Sequence, residues 1–178
     1  LTPFSPLKIA FSGQNEVKSL TRVEWLGGFF PIEGEALFYG FYVNELLVRL
    51  LAREDSAKNL FSSYVKVLEC LAQAESNHEA GLRTFEMDLI TALGYGLPKT
   101  DEPWYWDGEE LKPWREDVLE TDKTIVIAPE LIDKLIARDF RNKETLAFAK
   151  RLLRSMIAHY VGETPLNTRR ILQQLRRL

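Results

Sequence analysis

A mainly α fold with a small β part is the class predicted for this 178-residue chain, and three observations carry it. Apolar residues recur at helical spacing over most of the length. Strict alternation is confined to residues 1–26, and glycine or proline marks each change of pattern. The expected architecture is the end of a small β-domain followed by an α-helical bundle with an irregular insertion.

Taken in order, Leu7, Ile9 and Phe11 alternate with Lys8 and Ala10, Ser12-Gly13-Gln14-Asn15 supplies turn chemistry, and Val17, Leu20, Val23 and Trp25 read as a returning strand. Two strands do not make a stable sheet, so this hairpin needs partners, and its earlier strands are expected upstream of Leu1. Gly27-Gly28 and Pro31 then break the pattern. From Glu35 to Arg53, Leu37, Phe38, Phe41, Leu46, Leu47, Leu50 and Leu51 form an apolar helix in which Asn44 and Glu45 stand out. Such polar groups are expected to tie down a nearby loop or helix end, because leaving them buried and unpaired costs about 1–3 kcal/mol.

Asp55 or Ser56 is the expected cap of a second helix carrying Leu60, Phe61, Tyr64, Val67, Leu68 and Leu71 and ending near Ala74. A third runs from His78, with Leu82, Phe85, Leu89 and Leu93 widened by Ile90 and Ala92, and Arg83 at the edge of the stripe. Gly94 stops it in a left-handed cap, Tyr95 folds back, and the motif runs out through Gly96 and Leu97. Short connections between three such helices predict an antiparallel bundle.

Residues 98–128 interrupt this pattern. Pro98, Pro103 and Pro113, with Trp104, Tyr105, Trp106 and Trp114 among acidic residues, exclude one helix, and only Thr124 to Ile127 reads as a strand. Pro129 opens a short helix to Ala137, Lys143 to Val161 forms the next, and Gly162 ends it. Pro165-Leu166-Asn167-Thr168 leads into a last basic helix with Ile171, Leu172 and Leu175.

The formal net charge of −3 conceals segregation: acids dominate 101–122, whereas arginine and lysine dominate after Ala137. Cys70 is the single cysteine, which excludes an internal disulfide or a multi-cysteine zinc site and fits a reducing compartment. No apolar run has membrane-spanning length, and a cytoplasmic location is expected. His78 and His159 have no metal-binding spacing, and neither a phosphate loop nor a nucleophile elbow is present, so the chain reads as non-enzymatic, with no cofactor.

An ordered set of motifs is more specific. Leu1-Thr2-Pro3-Phe4-Ser5-Pro6-Leu7, then Gly13 with Glu16-Val17-Lys18-Ser19-Leu20, Phe41-Tyr42-Val43-Asn44-Glu45-Leu46-Leu47, Leu82-Arg83-Thr84-Phe85-Glu86, Leu93-Gly94-Tyr95-Gly96, and Pro165-Leu166 with Arg169 follow one another in this chain. In order and spacing they resemble the bacterial recombination mediators of the RecO family across the whole sequence. The resemblance implies that 1–27 is the C-terminal part of an OB-fold domain and 28–178 a helical domain with an acidic, aromatic insertion at 98–128. It also implies binding to single- and double-stranded DNA and annealing of complementary strands. With RecR, it implies RecA loading onto DNA coated by single-stranded-DNA-binding protein (SSB), and engagement of the acidic, phenylalanine-terminated SSB tail.

An acidic tail ending in phenylalanine needs an apolar pocket and a cation, and Arg83 beside Leu82 and Phe85, with Phe61 and Tyr64 as further walls, is the expected site. Arg83 as a structural partner of Glu45 or Glu86 is the competing reading. For DNA, the expected cations are Lys8, Lys18 and Arg22 on the β side, with Arg151, Arg154, Arg169, Arg170, Arg176 and Arg177 on the helical side. The cysteine-based zinc site of some relatives is not expected, since Asp101 and Glu102 open that segment and no cysteine follows. An alternative is a helical interaction module that never touches DNA.

Overall fold

Alternating side chains set β1 (Leu7–Ser12), which pairs antiparallel with β2 (Ser19–Trp25), Leu7 lying opposite Trp25 and Ile9 opposite Val23. A register shift between Ala10 and Phe11 interrupts the ladder, a device that bends a ribbon. Ile9, Phe11, Leu20 and Trp25 are all exposed. The structure is a computed structural model describing residues 3–14, 16–28, 31–52, 57–119, 121, 123–168, 170 and 171. Phe4 anchors the hairpin end to the helices: its ring lies 5.4 Å from that of Phe41 and covers Gly40, where a Cβ would meet it at 2.8 Å.

The helices that follow include α1 (Gly34–Leu50), α2 (Lys58–Ala72), α3 (His78–Ala92), α4 (Pro129–Ile136) and α5 (Lys143–Val161). Helix α3 packs against α1, α2 and α5, and its buried set of Leu82, Phe85, Met87, Leu89 and Ile90 covers more than one face. At its start the Asn77 side chain accepts from the Ala80 N–H at 3.1 Å. At its end Gly94 takes φ +89°, and the Tyr95 N–H reaches back to the Ile90 carbonyl at 3.0 Å, the left-handed stop that glycine makes cheap. The expected side-chain cap of α2 falls on Asp55 and Ser56, which lie outside the described residues; the position before the helix is Ala57, which has no such cap.

Helices α2 and α3 run close together at Gly81, where a Cβ would sit 2.6 Å from the Cys70 Sγ. Valine there adds branched bulk to a packed contact, so Gly81→Val is expected to lower stability by about 1–3 kcal/mol in urea unfolding. An unchanged midpoint would show that α2 and α3 can separate freely at this point.

The 98–128 segment carries more regular structure than its prolines imply. β3 (Trp104–Trp106) is central in an antiparallel sheet ordered β4-β3-β5, with β4 (Leu111–Pro113) and β5 (Ile125–Ile127). Pro113 is tolerated because β4 is an edge strand. Trp106, Ile125 and Ile127 are fully buried, and the Trp106 indole N–H donates to the Ser155 hydroxyl at 2.9 Å, fastening the sheet to α5. Residues 167, 168, 170 and 171 are helical, while Leu172 and Leu175 lie outside the described residues.

Candidate functional site

The predicted tail site divides when its residues are placed. Leu82 and Phe85 point into the core at 5% and 1% exposure, whereas Phe61 is 65% exposed on α2. Two close approaches fix the antiparallel level of the helices: Ser63 donates to Asp88 at 2.7 Å, and Cys70 lies over Gly81. Phe61 therefore stands about 10 Å along the helix axis from the level of Arg83, at 1.5 Å per residue. Tyr64 is half-buried, its ring 6.3 Å from that of Phe61 and its hydroxyl donating to Asn44 Oδ1 at 2.9 Å.

Arg83 is itself buried and committed. Its Nη2 donates to Glu86 Oε1 at 2.7 Å, and the Tyr42 hydroxyl donates to the same oxygen at 2.6 Å. Of the two structural partners open to Arg83, Glu86 is the one it takes. Burial pushes the Glu86 carboxyl above its ordinary pKa despite the opposing charge of Arg83 and the Tyr42 hydrogen bond. Burial and the neighbouring Glu86 likewise raise the Tyr42 phenol. Arg83 Nε and Glu86 Oε2 are buried without a hydrogen bond among the described residues. Tyr42 gave no signal of this role in the sequence, where it reads as one more aromatic on a greasy helix.

Glu45 does what its position predicts. It accepts from the Asn167 N–H at 2.7 Å, the Thr168 N–H at 2.9 Å and the Thr168 hydroxyl at 2.7 Å. Arg49, one turn on, pairs with Glu45 at 3.3 Å and donates to the Thr164 carbonyl at 2.6 Å. Burial would raise the Glu45 pKa, but the Thr168 and Asn167 amides, the Thr168 hydroxyl and Arg49 outweigh it and hold the carboxyl below its usual range. The clamp fixes the start of the basic C-terminal segment on α1.

Cations gather on α5. Lys150, Arg151 and Arg154 edge a groove of about 630 Å³ whose remaining lining includes Thr121 and Ile125 from the 98–128 segment and Ala147, Ser155 and Ala158 from the helix. Lys150 also reaches Glu79 at 2.6 Å, and the Arg151 guanidinium lies 5.9 Å from the Phe148 ring centre. Residues 147, 150, 151, 154 and 158 share one face through spacings of three and four. On the hairpin, Lys8, Lys18 and Arg22 are exposed, with Arg22 pairing to Glu24. Arg170 is exposed, whereas Arg169, Arg176 and Arg177 lie outside the described residues. Among the described residues no three His, Cys, Asp or Glu side chains cluster to hold a metal ion, and no helix is long and apolar enough to cross a membrane.

Residues 33–102 match the family model described as Recombination protein O C terminal. The chain is 42% identical to a DNA repair protein RecO from Dechloromonas aromatica, with all of this chain and 78% of that protein covered. It is 37% identical to one from Azoarcus sp., over 98% of this chain and 76% of that protein. A third relative, from Burkholderia lata, is 36% identical over the whole chain and 67% of its own length.

Proposed function

We propose that this chain, which belongs to the RecO family of DNA repair proteins, works by binding rather than by bond chemistry, bringing complementary DNA strands together through sequence-independent phosphate contacts. The observation that carries the reading is the exposed basic face of α5, where Lys150, Arg151 and Arg154 line one groove. Cations at spacings of three and four on one helix present charge along a line, as a nucleic-acid backbone does. Phosphates released from their counterions by such contacts give affinity without base readout.

The hairpin supports the same reading from the other end of the chain. Its apolar side chains are exposed, as those of two strands taken from an OB barrel would be, and Lys8, Lys18 and Arg22 would add cations on that side. On this reading residues 1–27 are the C-terminal part of an OB-fold domain and 28–178 the helical domain with its insertion at 98–128. SSB, through its acidic tail on the helical domain, RecR and RecA are the partners this role would engage, with action in the bacterial cytoplasm at the nucleoid.

DNA affinity should fall linearly with the logarithm of salt concentration. Arg151→Ala and Arg154→Ala should each weaken binding to a single-stranded oligonucleotide alike for all sequences and reduce the salt slope by about one. Fluorescence anisotropy across a salt series measures both. Affinity that ignores salt, or a slope unchanged in the double variant, would leave the helical interaction module as the better reading.

A further inference from the structure

A second cleft, of about 530 Å³, lies against β3 and β4 of the inserted sheet, lined by the Gly94-Tyr95-Gly96 stop of α3, Trp104, Leu111, His159, Tyr160 and the Glu109-Glu110 turn. Its volume is within the range of small-ligand clefts, and it is open to solvent on one side. Tyr95 and Tyr160 form one wall as a stacked pair, centroids 4.0 Å apart and planes 15° apart. Tyr95 is 45% exposed, so one ring face or edge of that pair is open to solvent. Both glutamates are exposed, and Glu110 shares Lys112 with Asp107 at 2.7 Å and 2.6 Å. The negative charge of the turn is felt across the cleft: burial, then Tyr95 and Glu110, raise the Tyr160 phenol above its ordinary pKa.

The geometry points to a recognition site for an arginine side chain carried by a protein partner. Aromatic faces attract a cation through their quadrupole, and a planar guanidinium stacks on them better than an ammonium does. Carboxylates at the rim can accept its N–H groups in pairs. The same acids repel phosphate, which disfavours a nucleotide here even though the aromatic wall would stack a base. The site is separate from the DNA reading of α5 and does not depend on it.

The experiment uses the 178-residue chain and a fluorescein-labelled Gly-Gly-Arg-Gly-Gly-Arg-Gly peptide, with matched peptides in which lysine or neutral citrulline replaces arginine. Expected is saturable binding of the arginine peptide, weaker binding with lysine and none with citrulline. Glu109→Gln with Glu110→Gln should weaken the arginine peptide about tenfold or more, as should Tyr95→Ala, because charge-assisted bonds and ring contact act together. Glu116→Gln with Asp117→Asn removes equal charge from the same insertion outside the cleft and should leave affinity unchanged. Equal loss in that control would reduce the effect to general electrostatics and overturn the proposal. So would displacement of the peptide by oligo-dT that is itself weakened by Tyr95→Ala alone, or equal affinity for arginine and citrulline.

Discussion

Arg83→Ala is expected to destabilise the protein by about 3–5 kcal/mol, because it strands a carboxylate in the core. Glu86 is 1% exposed and its accepting oxygen holds both Arg83 and Tyr42. Without the guanidinium, Glu86 must ionise unpaired or take up a proton. Its pKa is already raised by burial, so the folded state binds the proton more tightly than the unfolded chain. Stability from such a group is fully present below the unfolded carboxyl range and is lost as pH rises through the folded value. The Arg83→Ala defect should therefore be deepest at neutral pH and ease in acid, which urea unfolding at several pH values measures. Arg83→Met with Glu86→Gln removes both charges while leaving Tyr42 an acceptor, and should recover most of the loss. A single variant as stable as the parent at neutral pH would show that the pair is not buried in solution.

The same pair decides how the SSB tail can be tested. A collapse of tail binding in Arg83→Ala follows from a damaged core whether or not Arg83 touches the tail. The charge-free double variant separates the two: it should fold, and only direct contact predicts that it loses affinity for an acidic phenylalanine-terminated peptide.

Helix α3 was legible because Leu82, Phe85 and Leu89 keep helical spacing and Gly94 stands where a left-handed stop is needed. The fate of Arg83 was not. A periodic stripe says which face is buried, but α3 is enclosed by α1, α2 and α5, so residues off the stripe, including Arg83, Glu86 and Met87, are buried too. Only the third dimension shows that enclosure. Phe61 illustrates the converse, since its spacing fits the apolar stripe of α2 while its ring is 65% exposed. The sheet in the insertion escaped for another reason. Only β5 was legible, within Thr124 to Ile127; β3 and β4 are three residues long and carry proline and acidic neighbours, too short for period-two alternation to register, and β3 finds β5 some twenty residues on. Glu45 was readable as a tie because a carboxylate on an apolar helix has few cheap alternatives, although its partners 122 and 123 positions away were not.

Glu45→Ala is expected to have a local effect that reaches the basic C-terminal segment. The substitution removes the acceptor from the Asn167 and Thr168 N–H groups and the Thr168 hydroxyl, a loss comparable to deleting a helix cap, about 0.5–2 kcal/mol. Leu166, 8% exposed against the core, then loses the tie that seats it. Hydrogen exchange at the Asn167 and Thr168 amides should accelerate markedly while α3 amides stay protected, because the clamp lies outside the central packing. Acid should mimic the variant in the parent. The Glu45 pKa is lowered, so its contribution is present above the unfolded carboxyl range and disappears as pH falls through the folded value, and Glu45→Ala should abolish that step. If the arginines that follow act on DNA from this seat, Glu45→Ala should also weaken oligonucleotide binding severalfold while α3 amides stay protected, whereas DNA binding that survives rapid exchange at 167 and 168 would assign the phosphate contacts to α5 alone.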